Sequence, residues 1–398
     1  MVYDVVIIGG GIVGLATAYQ ILQDKPDTKL LILEKEAKVA SHQTGHNSGV
    51  IHSGLYYKPG SLKAINCKTG YDLLIAFADK HNIPYDLCGK VVVATQESEL
   101  PELDKLYKRG IENGLDGLKM IDAEELKKIE PHVAGIKGII VPQTGIIDYT
   151  LVSQKYLELV EKSGGEIRFN YKVNGFAKSN DKWVVRGKNQ LVESQSFINC
   201  AGLYSDKVAG LTETMDTKII PFRGEYYMIK DSAKHLVKHL IYPVPDPNFP
   251  FLGVHFTRMM NGHIEAGPNA VLAFRREGYK KRDIHFGELL ESLMWPGFQK
   301  VAKKYWRTGL GEMYRSFSKK AFTKALQKLI PEITADDLVT AEAGVRAQAC
   351  DKTGGLLDDF KIIEKHGAIH VVNAPSPAAT SSLAIGKTVA ELWSNNAQ

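Results

Sequence analysis

Three glycines near the amino terminus and one later acidic residue have the spacing of a phosphate-binding turn. Gly9, Gly11 and Gly14 form the pattern G-x-G-x-x-G, and Glu34 follows twenty residues after Gly14. The first glycine permits a tight turn, the second lets the backbone approach a pyrophosphate, and the third lets a helix pack on its strand. Free N–H groups at the start of that helix attract phosphate, and the acid can accept hydrogen bonds from ribose hydroxyls. The pattern predicts a dinucleotide site rather than a plain glycine-rich turn.

The elements around these glycines fit that prediction. Residues 3–8 are an apolar run suited to a buried parallel strand, residues 15–22 have apolar positions at helical spacing, and residues 29–33 form a second buried strand. Together they predict a β-α-β unit. An acid instead of an arginine at position 34 disfavours the 2′-phosphate of NADP and leaves FAD and NAD as candidates.

The rest of the chain has a mixed pattern. We predict helices over 61–81, 97–113, 151–162 and 382–393, strands over 90–95, 166–169, 183–185 and 196–199, and an antiparallel sheet within 217–268. The fold class is therefore α/β, with a Rossmann-like dinucleotide domain and an inserted, discontinuous antiparallel-sheet substrate domain. The first domain is expected to comprise 1–90, 143–215 and 340–398, and the second 91–142 and 216–339.

Composition narrows the class of protein. With 398 residues, 44% of them hydrophobic and 24% charged, the chain is globular, and its net charge of +5 is too small for a general polyanion binder. The four cysteines lie far apart, which disfavours zinc and disulfides and fits a reducing, cytoplasmic compartment. An uncharged run over 5–23 contains four glycines, so we expect neither a membrane helix nor a signal peptide there.

A run of small and hydrogen-bonding residues, 41–57, follows the second strand and suits a loop beneath a flat cofactor. On this run and on later motifs the sequence resembles the FAD-dependent oxidoreductases related to D-amino-acid oxidase, glycine oxidase and glycerol-3-phosphate dehydrogenase. More narrowly, it resembles the L-2-hydroxyglutarate oxidases and dehydrogenases. The segments that carry the narrower resemblance are spread over the whole chain: 46–58, 221–227, 242–245, 253–258, 267–270 and 344–346.

The resemblance implies FAD as the cofactor. In this family a turn like 197–205 passes close to the dinucleotide, and a loop like 373–382 brings a helix N-terminus near the flavin ring, although by itself this loop is only a helix cap. Some relatives attach flavin through a histidine near His46; we expect non-covalent FAD and no metal. The residues expected to bind FAD are Gly9, Gly11, Gly14, Glu34, Lys35, Thr44, Asn47, Ser48, Gly49, Val173, Ala201, Gly202, Pro377, Ala378, Ala379 and Thr380.

Oxidation of a 2-hydroxy acid needs a base for the hydroxyl proton, and histidine has a suitable pKa. His52 is the first candidate, because the glycerol-3-phosphate branch has an active-site histidine at the matching position; a structural histidine is the alternative. His255 is the second candidate. Strand alternation places His255 on one face and Arg258 on the other, so the two should not reach one ligand unless a bulge intervenes.

Substrate carboxylates call for arginine, whose planar fork binds them bidentately. Arg346 lies where the family places its carboxylate clamp, with a surface ion pair as the alternative. A dicarboxylate needs a second positive group, and the arginines considered for it are Arg223, Arg258 and Arg275. Tyr226 and Tyr242 are expected to bind substrate or line its pocket, with core packing equally compatible.

The segment 275–328 is locally basic, with fourteen Lys and Arg against five Asp and Glu. Aromatic residues are interleaved with these charges, among them Trp295, Phe298, Tyr305, Trp306, Phe317 and Phe322. A helical stretch of this kind, ending near residue 330, favours a peripheral contact with a membrane surface and transfer of electrons to a quinone. The alternative is a solvated helical hairpin with its aromatics in the core. Nucleic acid is not expected, because no recognition motif accompanies the charge.

The function that the resemblance implies is FAD-dependent oxidation of L-2-hydroxyglutarate to 2-oxoglutarate, with hydride transfer from the α-carbon to flavin N5. Alternatives are a glycine- or sarcosine-type amine oxidase, an enzyme like glycerol-3-phosphate dehydrogenase, and a flavin-binding sensor without turnover. The residues leave open whether oxygen or quinone takes the electrons, and also the oligomeric state and the stereochemical preference.

Overall fold

The computed structural model describes residues 1–247 and 251–396. The α-helices found there are α1 (Ile12–Asp24), α2 (Leu62–Lys80), α3 (Leu100–Glu112), α4 (Ala123–Ile129), α5 (Tyr149–Lys162), α6 (Ser205–Ala209), α7 (Phe286–Leu293), α8 (Pro296–Phe317), α9 (Lys319–Leu326) and α10 (Ser382–Asn396). The strands are β1 (Val2–Ile8), β2 (Leu30–Leu33), β3 (Val50–Ile51), β4 (Tyr85–Asp86), β5 (Lys90–Ala94), β6 (Lys119–Asp122), β7 (Lys137–Val141), β8 (Gly145–Ile147), β9 (Glu166–Arg168), β10 (Gly175–Ser179), β11 (Lys182–Arg186), β12 (Leu191–Asn199), β13 (Thr217–Gly224), β14 (Tyr227–Ile229), β15 (Leu240–Pro243), β16 (His255–Arg258), β17 (Ile264–Gly267), β18 (Val271–Leu272), β19 (Leu338–Thr340), β20 (Gly344–Asp351), β21 (Lys361–Lys365) and β22 (Ala368–Asn373).

The first large sheet, called the parallel sheet below because its central strands run parallel, contains strands from the first and the last part of the chain; β10, β11 and β21 are antiparallel to their neighbours. Its strand order is β10-β11-β12-β1-β2-β9, and β22 joins the carboxyl end of β12 in parallel and is extended by β21. Strand β2 and residues 5–8 of β1 are unbroken apolar runs because both faces of the sheet are covered. Helices α1, α5 and α10 cover one face, and side chains that include Tyr171, Trp183 and Val208 cover the other. Helix α10 packs so closely on α1 that a Cβ on Gly386 would lie 2.8 Å from the backbone of Ala16. The predicted Rossmann-like sheet is confirmed.

A second large sheet has the order β19-β14-β17-β16-β15-β5-β7-β6 and is antiparallel except for the pair β5–β15. The predicted antiparallel sheet is therefore confirmed. The sheet also includes β5, β6, β7 and β19, which lie outside residues 217–268. The domain boundaries stay a prediction. Strand β13 pairs with β20 along its whole length, which joins two segments that the predicted boundaries separate.

The helix predicted over 97–113 is interrupted at its start. A 3-10 turn, Glu97–Glu99, precedes α3, which has a proline in its first turn. Proline suits that position because it lacks the N–H that would be unpaired there. The strands β6, β7 and β8 were not predicted, since their short segments lie between glycines and charged residues.

The basic segment is helical, as expected, and folds into α7, α8 and α9. Its aromatic residues do not behave alike: Phe298 and Phe322 are buried, whereas Trp306 and Phe317 are exposed. Phe298 and Phe322 are therefore in the core, as the hairpin alternative expects, and the membrane contact stays a prediction. Within the described residues, no helix is long and apolar enough to cross a membrane.

Candidate active site

A cavity of about 1220 Å³ lies between the carboxyl edge of the parallel sheet and the second large sheet. The turn after β1, the turn after β12 and the loop before α10 form one side of its wall, and residues of β15, β16 and β20 form the other. Pockets for one small ligand measure about 300–1,000 Å³. The volume therefore suits a dinucleotide together with a small substrate.

The glycine turn has the geometry that the motif predicts. Gly9 has φ +109°, and a Cβ placed on it would lie 2.5 Å from the carbonyl oxygen of Cys200. A Cβ on Gly14 would collide with the carbonyl oxygen of Gly9, so this glycine allows the helix to approach its strand. Gly9 and Gly11 line the cavity at the start of α1. The unpaired N–H groups of this helix N-terminus form a cradle for a pyrophosphate.

Glu34 is fixed at the end of β2. Its two carboxylate oxygens accept hydrogen bonds from the backbone N–H of Gly10, at 2.7 Å, and of Glu36, at 2.8 Å. Each oxygen has a further lone pair, and Glu34 lines the cavity, so the ribose hydroxyls of a dinucleotide can still donate to it. The structure thus fits the adenosine half of FAD.

Four polar side chains meet at this end of the cavity. The ammonium of Lys35 lies 2.6 Å from a carboxylate oxygen of Glu36, 2.6 Å from one of Glu277 and 2.9 Å from Nε2 of His42. The two acids and the histidine are close enough together to hold a metal ion. Lys35 supplies the positive charge between them. These contacts, with those of His42, hold the pKa of Glu36 at about 2.

The remaining residues expected to bind FAD fall into two groups. Thr44 accepts a hydrogen bond from the N–H of Ile12, and Asn47 holds the backbone of Gly49. Gly14, Gly49 and Thr380 do not line the cavity but support residues that do. The expected residues on the cavity wall are Gly9, Gly11, Glu34, Lys35, Thr44, Asn47, Ser48, Val173, Ala201, Gly202, Pro377, Ala378 and Ala379.

His52 lies on the cavity wall next to the loop before α10. Its backbone N–H donates to the hydroxyl of Thr380 at 3.1 Å, and its Nε2 lies 3.5 Å from the hydroxyl of Ser376. Burial lowers the pKa of His52 to about 3, and the neighbouring charges, led by Lys90, add to this effect. The imidazole is therefore neutral near pH 7 and can accept a proton.

His255 lines the same cavity from β16. Its Nδ1 lies 2.8 Å from the carbonyl oxygen of Gly253, and its ring stacks on Tyr242 with 4.0 Å between centroids. A carbonyl oxygen only accepts hydrogen bonds, so Nδ1 carries the proton and Nε2 presents a lone pair. Burial lowers the pKa of His255 to about 3. Arg258 is not on the cavity wall, in agreement with strand alternation.

Arg346 lines the cavity from β20. Its guanidinium lies 5.5 Å from the ring centroid of Phe251, and its positive charge opposes the burial that raises the pKa of Tyr226. Within residues 1–247 and 251–396, Arg346 has no ion pair with an acid. Its fork is therefore available to a carboxylate in the cavity. Tyr226 and Tyr242 also line the cavity, as expected.

Two arginines proposed for a second carboxylate lie elsewhere, which corrects that expectation. Arg223 is 3% exposed and pairs with Glu225 at 2.9 Å. The paired register of β13 and β20 places Arg223 opposite Val345, whereas Arg346 stands opposite Phe222, so the two arginines point to opposite faces. Arg258 donates to the carbonyl oxygen of Lys238 and lies 3.6 Å from Asp86.

Arg275 does reach the cavity, but at the end where Glu277 and His285 lie, together with Lys35.

Sequence reasoning missed four residues near the histidines: Tyr56, Tyr57, Lys63 and Lys90. Tyr56, Tyr57 and Lys63 line the cavity, and Lys90 lies against the Tyr56 ring. A signal for Lys90 was its position at the start of an otherwise apolar strand.

Comparison with known proteins agrees with this geometry. Residues 4–392 match the family described as FAD dependent oxidoreductase, and the chain belongs to that family, with FAD as its cofactor. It is 61% identical to the L-2-hydroxyglutarate dehydrogenase of Indibacter alkaliphilus over 98% of both chains. It is 45% identical to the mitochondrial L-2-hydroxyglutarate dehydrogenase of Homo sapiens, over 98% of this chain and 88% of the human one.

Solved structures support the same fold. The L-alpha-glycerophosphate oxidase of Mycoplasma pneumoniae with FAD bound superimposes with a TM-score of 0.80 at 24% identity, covering 99% of this chain and 95% of that one. The glycine oxidase of Geobacillus kaustophilus gives a TM-score of 0.74 at 15% identity, with coverage of 99% and 95%. At such low identities the likeness concerns the fold alone.

Proposed function

We propose that this protein oxidises L-2-hydroxyglutarate to 2-oxoglutarate with FAD. The observation that carries the proposal is the combination found in one cavity: Arg346, which has no acidic partner among the described residues, and the neutral histidines His52 and His255. The identity of 61% to an L-2-hydroxyglutarate dehydrogenase supports the choice of substrate. A carboxylate clamp beside a neutral base suits a 2-hydroxy acid.

Each group has a distinct role. Arg346 binds the carboxylate next to the reacting carbon, and Tyr226 lies on the wall of the same cavity. His52 takes the proton of the hydroxyl group while the α-carbon loses a hydride. Bound FAD supplies the hydride acceptor at its N5 atom. The hydride carries both electrons and the hydrogen of the α-carbon, the hydroxyl proton goes to His52, and the C–O bond becomes a carbonyl.

His255 is the second candidate for the base, because its Nε2 lone pair is free while Nδ1 is held by Gly253. Its fixed ring also suits a positioning role, in which it accepts a hydrogen bond from the substrate without keeping the proton. Single His52→Ala and His255→Ala variants distinguish the two roles. The base variant loses the rate of flavin reduction, whereas the positioning variant loses mainly substrate affinity.

The experiment that tests the proposed function is anaerobic mixing of the FAD-loaded protein with a panel of substrates. The panel contains both enantiomers of 2-hydroxyglutarate, glycine, sarcosine and glycerol 3-phosphate. We expect L-2-hydroxyglutarate to bleach the flavin absorbance and the others to leave it intact. Bleaching by an amine alone, or by none of these compounds, would reject the proposal.

We propose in addition that α7 and α8 contact a lipid surface and that the electrons pass to a membrane quinone. Seven apolar residues of this region are between 56% and 81% exposed and recur mostly at intervals of four: Phe286, Leu290, Met294, Trp306, Leu310, Tyr314 and Phe317. Exposed lysines and arginines, including Lys303, Lys304 and Arg307, lie among them. Apolar side chains flanked by basic ones favour an anionic lipid surface.

Sedimentation with vesicles tests this contact. We expect binding to vesicles that contain phosphatidylglycerol, weaker binding at high salt, and loss of binding in the double variant Trp306→Glu, Leu310→Glu. Leu191→Glu changes an equally exposed leucine on β12 and serves as the control. A protein that stays in the supernatant would contradict the contact, and reoxidation by oxygen but not by a soluble quinone would contradict the acceptor.

A further inference from the structure

Lys90 is a buried cation without a counter-charge. It begins β5, is 3% exposed, and is followed by the fully buried residues Val91 to Ala94. Within the described ranges 1–247 and 251–396, its Nζ atom has neither a hydrogen-bond acceptor nor an acidic partner. Lysine is almost never buried without a partner, because desolvation of its charge is costly. A lysine in this state therefore requires an explanation.

Two cavity-lining tyrosines enclose the ammonium of Lys90. Its Nζ lies 4.4 Å from the ring centroid of Tyr56 and 5.1 Å from that of Tyr242, and both rings line the cavity. Ring faces attract cations but do not neutralise them. The hydroxyl of Tyr56 is also buried, and it has no hydrogen-bond partner in the described part of the chain. The ring that lies against the ammonium of Lys90 therefore carries a hydroxyl donor that has no acceptor among the described residues.

The charge of Lys90 acts on the same groups as that of Arg346. Both cations lower the pKa of His52, and both lower the pKa of His255. His52 and His255 therefore each lie within electrostatic range of two cations, Lys90 and Arg346. Burial itself lowers the pKa of Lys90 to about 7, which is the response expected of an ammonium that lacks an anion.

We propose that Lys90, with the hydroxyl of Tyr56, binds the second carboxylate of a dicarboxylate substrate, the one remote from the reacting carbon. Arg346 binds the first carboxylate, so the substrate spans the two cations and its α-carbon lies beside the histidines. This inference rests on the proposed function, whose substrate carries two carboxylates. It replaces Arg223 and Arg258, whose guanidinium groups are engaged elsewhere.

Lys63 is the competing candidate, since it lines the cavity itself, whereas Lys90 lies behind the cavity-lining rings of Tyr56 and Tyr242. Its ammonium already lies 2.8 Å from a carboxylate oxygen of Asp358, an exposed residue on the rim of the cavity. A substrate carboxylate at Lys63 would have to displace that acid, whereas the ammonium of Lys90 has no acidic partner to displace within residues 1–247 and 251–396. The structure therefore favours Lys90.

The test compares two non-reacting ligands of the FAD-loaded protein. 2-Oxoglutarate and 2-oxopentanoate have the same chain length and differ only in that the second ends in a methyl group. Their dissociation constants are read from the change in flavin absorbance. We expect the native protein to bind 2-oxoglutarate at least about 30-fold more tightly, and Lys90→Met to lose most of this preference while its affinity for 2-oxopentanoate changes little.

Two further variants keep the test decisive. Tyr56→Phe removes only the unpaired hydroxyl and should reduce the preference several-fold. Lys218→Met removes a lysine that lies 5.2 Å from the ring centroid of Trp295, outside the cavity wall, and should retain the full preference. Equal weakening of both ligands in Lys90→Met would mean a structural role and overturn the proposal.

If Lys63→Met lost the preference for 2-oxoglutarate over 2-oxopentanoate and Lys90→Met kept it, the second carboxylate would bind at Lys63, and the proposal would be overturned. A native protein that shows no preference for 2-oxoglutarate would also overturn the proposal. The proposed function fails separately: it fails if L-2-hydroxyglutarate does not reduce the flavin, whatever the ligands bind.

Discussion

Replacement of Arg346 and of His52 should damage two different steps. Arg346→Leu keeps a side chain that can pack near Phe251 but removes the fork that binds the substrate carboxylate. Two hydrogen bonds to a charged group contribute about 1.5–3 kcal/mol each, so the substrate loses at least about 3 kcal/mol of binding free energy. That corresponds to an approximately 150-fold weaker dissociation constant. His52→Ala removes a base, which lowers the rate of the step by about 10²–10⁴-fold.

Anaerobic stopped-flow mixing with L-2-hydroxyglutarate separates these effects, because the limiting rate of flavin reduction and the substrate dissociation constant come from the same series. We expect Arg346→Leu to change mainly the dissociation constant and His52→Ala mainly the limiting rate. The matched control is His132→Ala, a histidine paired with Glu332 at the surface and absent from the cavity wall. Equal effects of Arg346→Leu and His52→Ala on both quantities would refute the separate roles.

Four further predictions concern cofactor binding and stability. Gly14→Ala should cost about 1–3 kcal/mol and lower FAD content, since the added methyl would collide with the carbonyl oxygen of Gly9; thermal unfolding and flavin absorbance measure both. Arg276→Met should cost about 3–5 kcal/mol in denaturant unfolding, because it leaves Asp206, 2.8 Å from the guanidinium and almost fully buried, without its partner. Acid precipitation should release all yellow colour into the supernatant, as expected of non-covalent FAD; colour retained in the pellet would contradict this. The stability of the native protein relative to Lys90→Met should rise from pH 7 to pH 10, because the pKa of Lys90 is lowered to about 7 in the folded state and the unfolded chain binds more protons in that range.

The features that the sequence predicted well are those set by local chemistry. The turn at Gly9 to Gly14 needs its glycines within six consecutive residues, and the neighbouring apolar runs identify the strand and the helix. The place of the loop before α10 beside the cofactor was instead implied by the family resemblance, since by itself the segment predicts only a helix cap. Local patterns of this kind do not depend on how distant strands pair.

The side chains that meet across sheets could not be predicted in this way. Arg223 and Arg346 look equivalent in sequence, and only the register of β13 against β20 shows that they face opposite sides. Lys90 stands at the start of an apolar strand, where a lysine would ordinarily reach water. Its burial follows from Tyr56 and Tyr242, which come from distant segments. Periodicity carries no information about such neighbours.

The most direct measurement of the central claim is a single anaerobic turnover with L-2-hydroxyglutarate in slight excess over the flavin. Complete reduction of the flavin, with one 2-oxoglutarate released for each flavin reduced, is the expected result. A flavin that stays oxidised, or one that is reduced without formation of 2-oxoglutarate, would contradict the account.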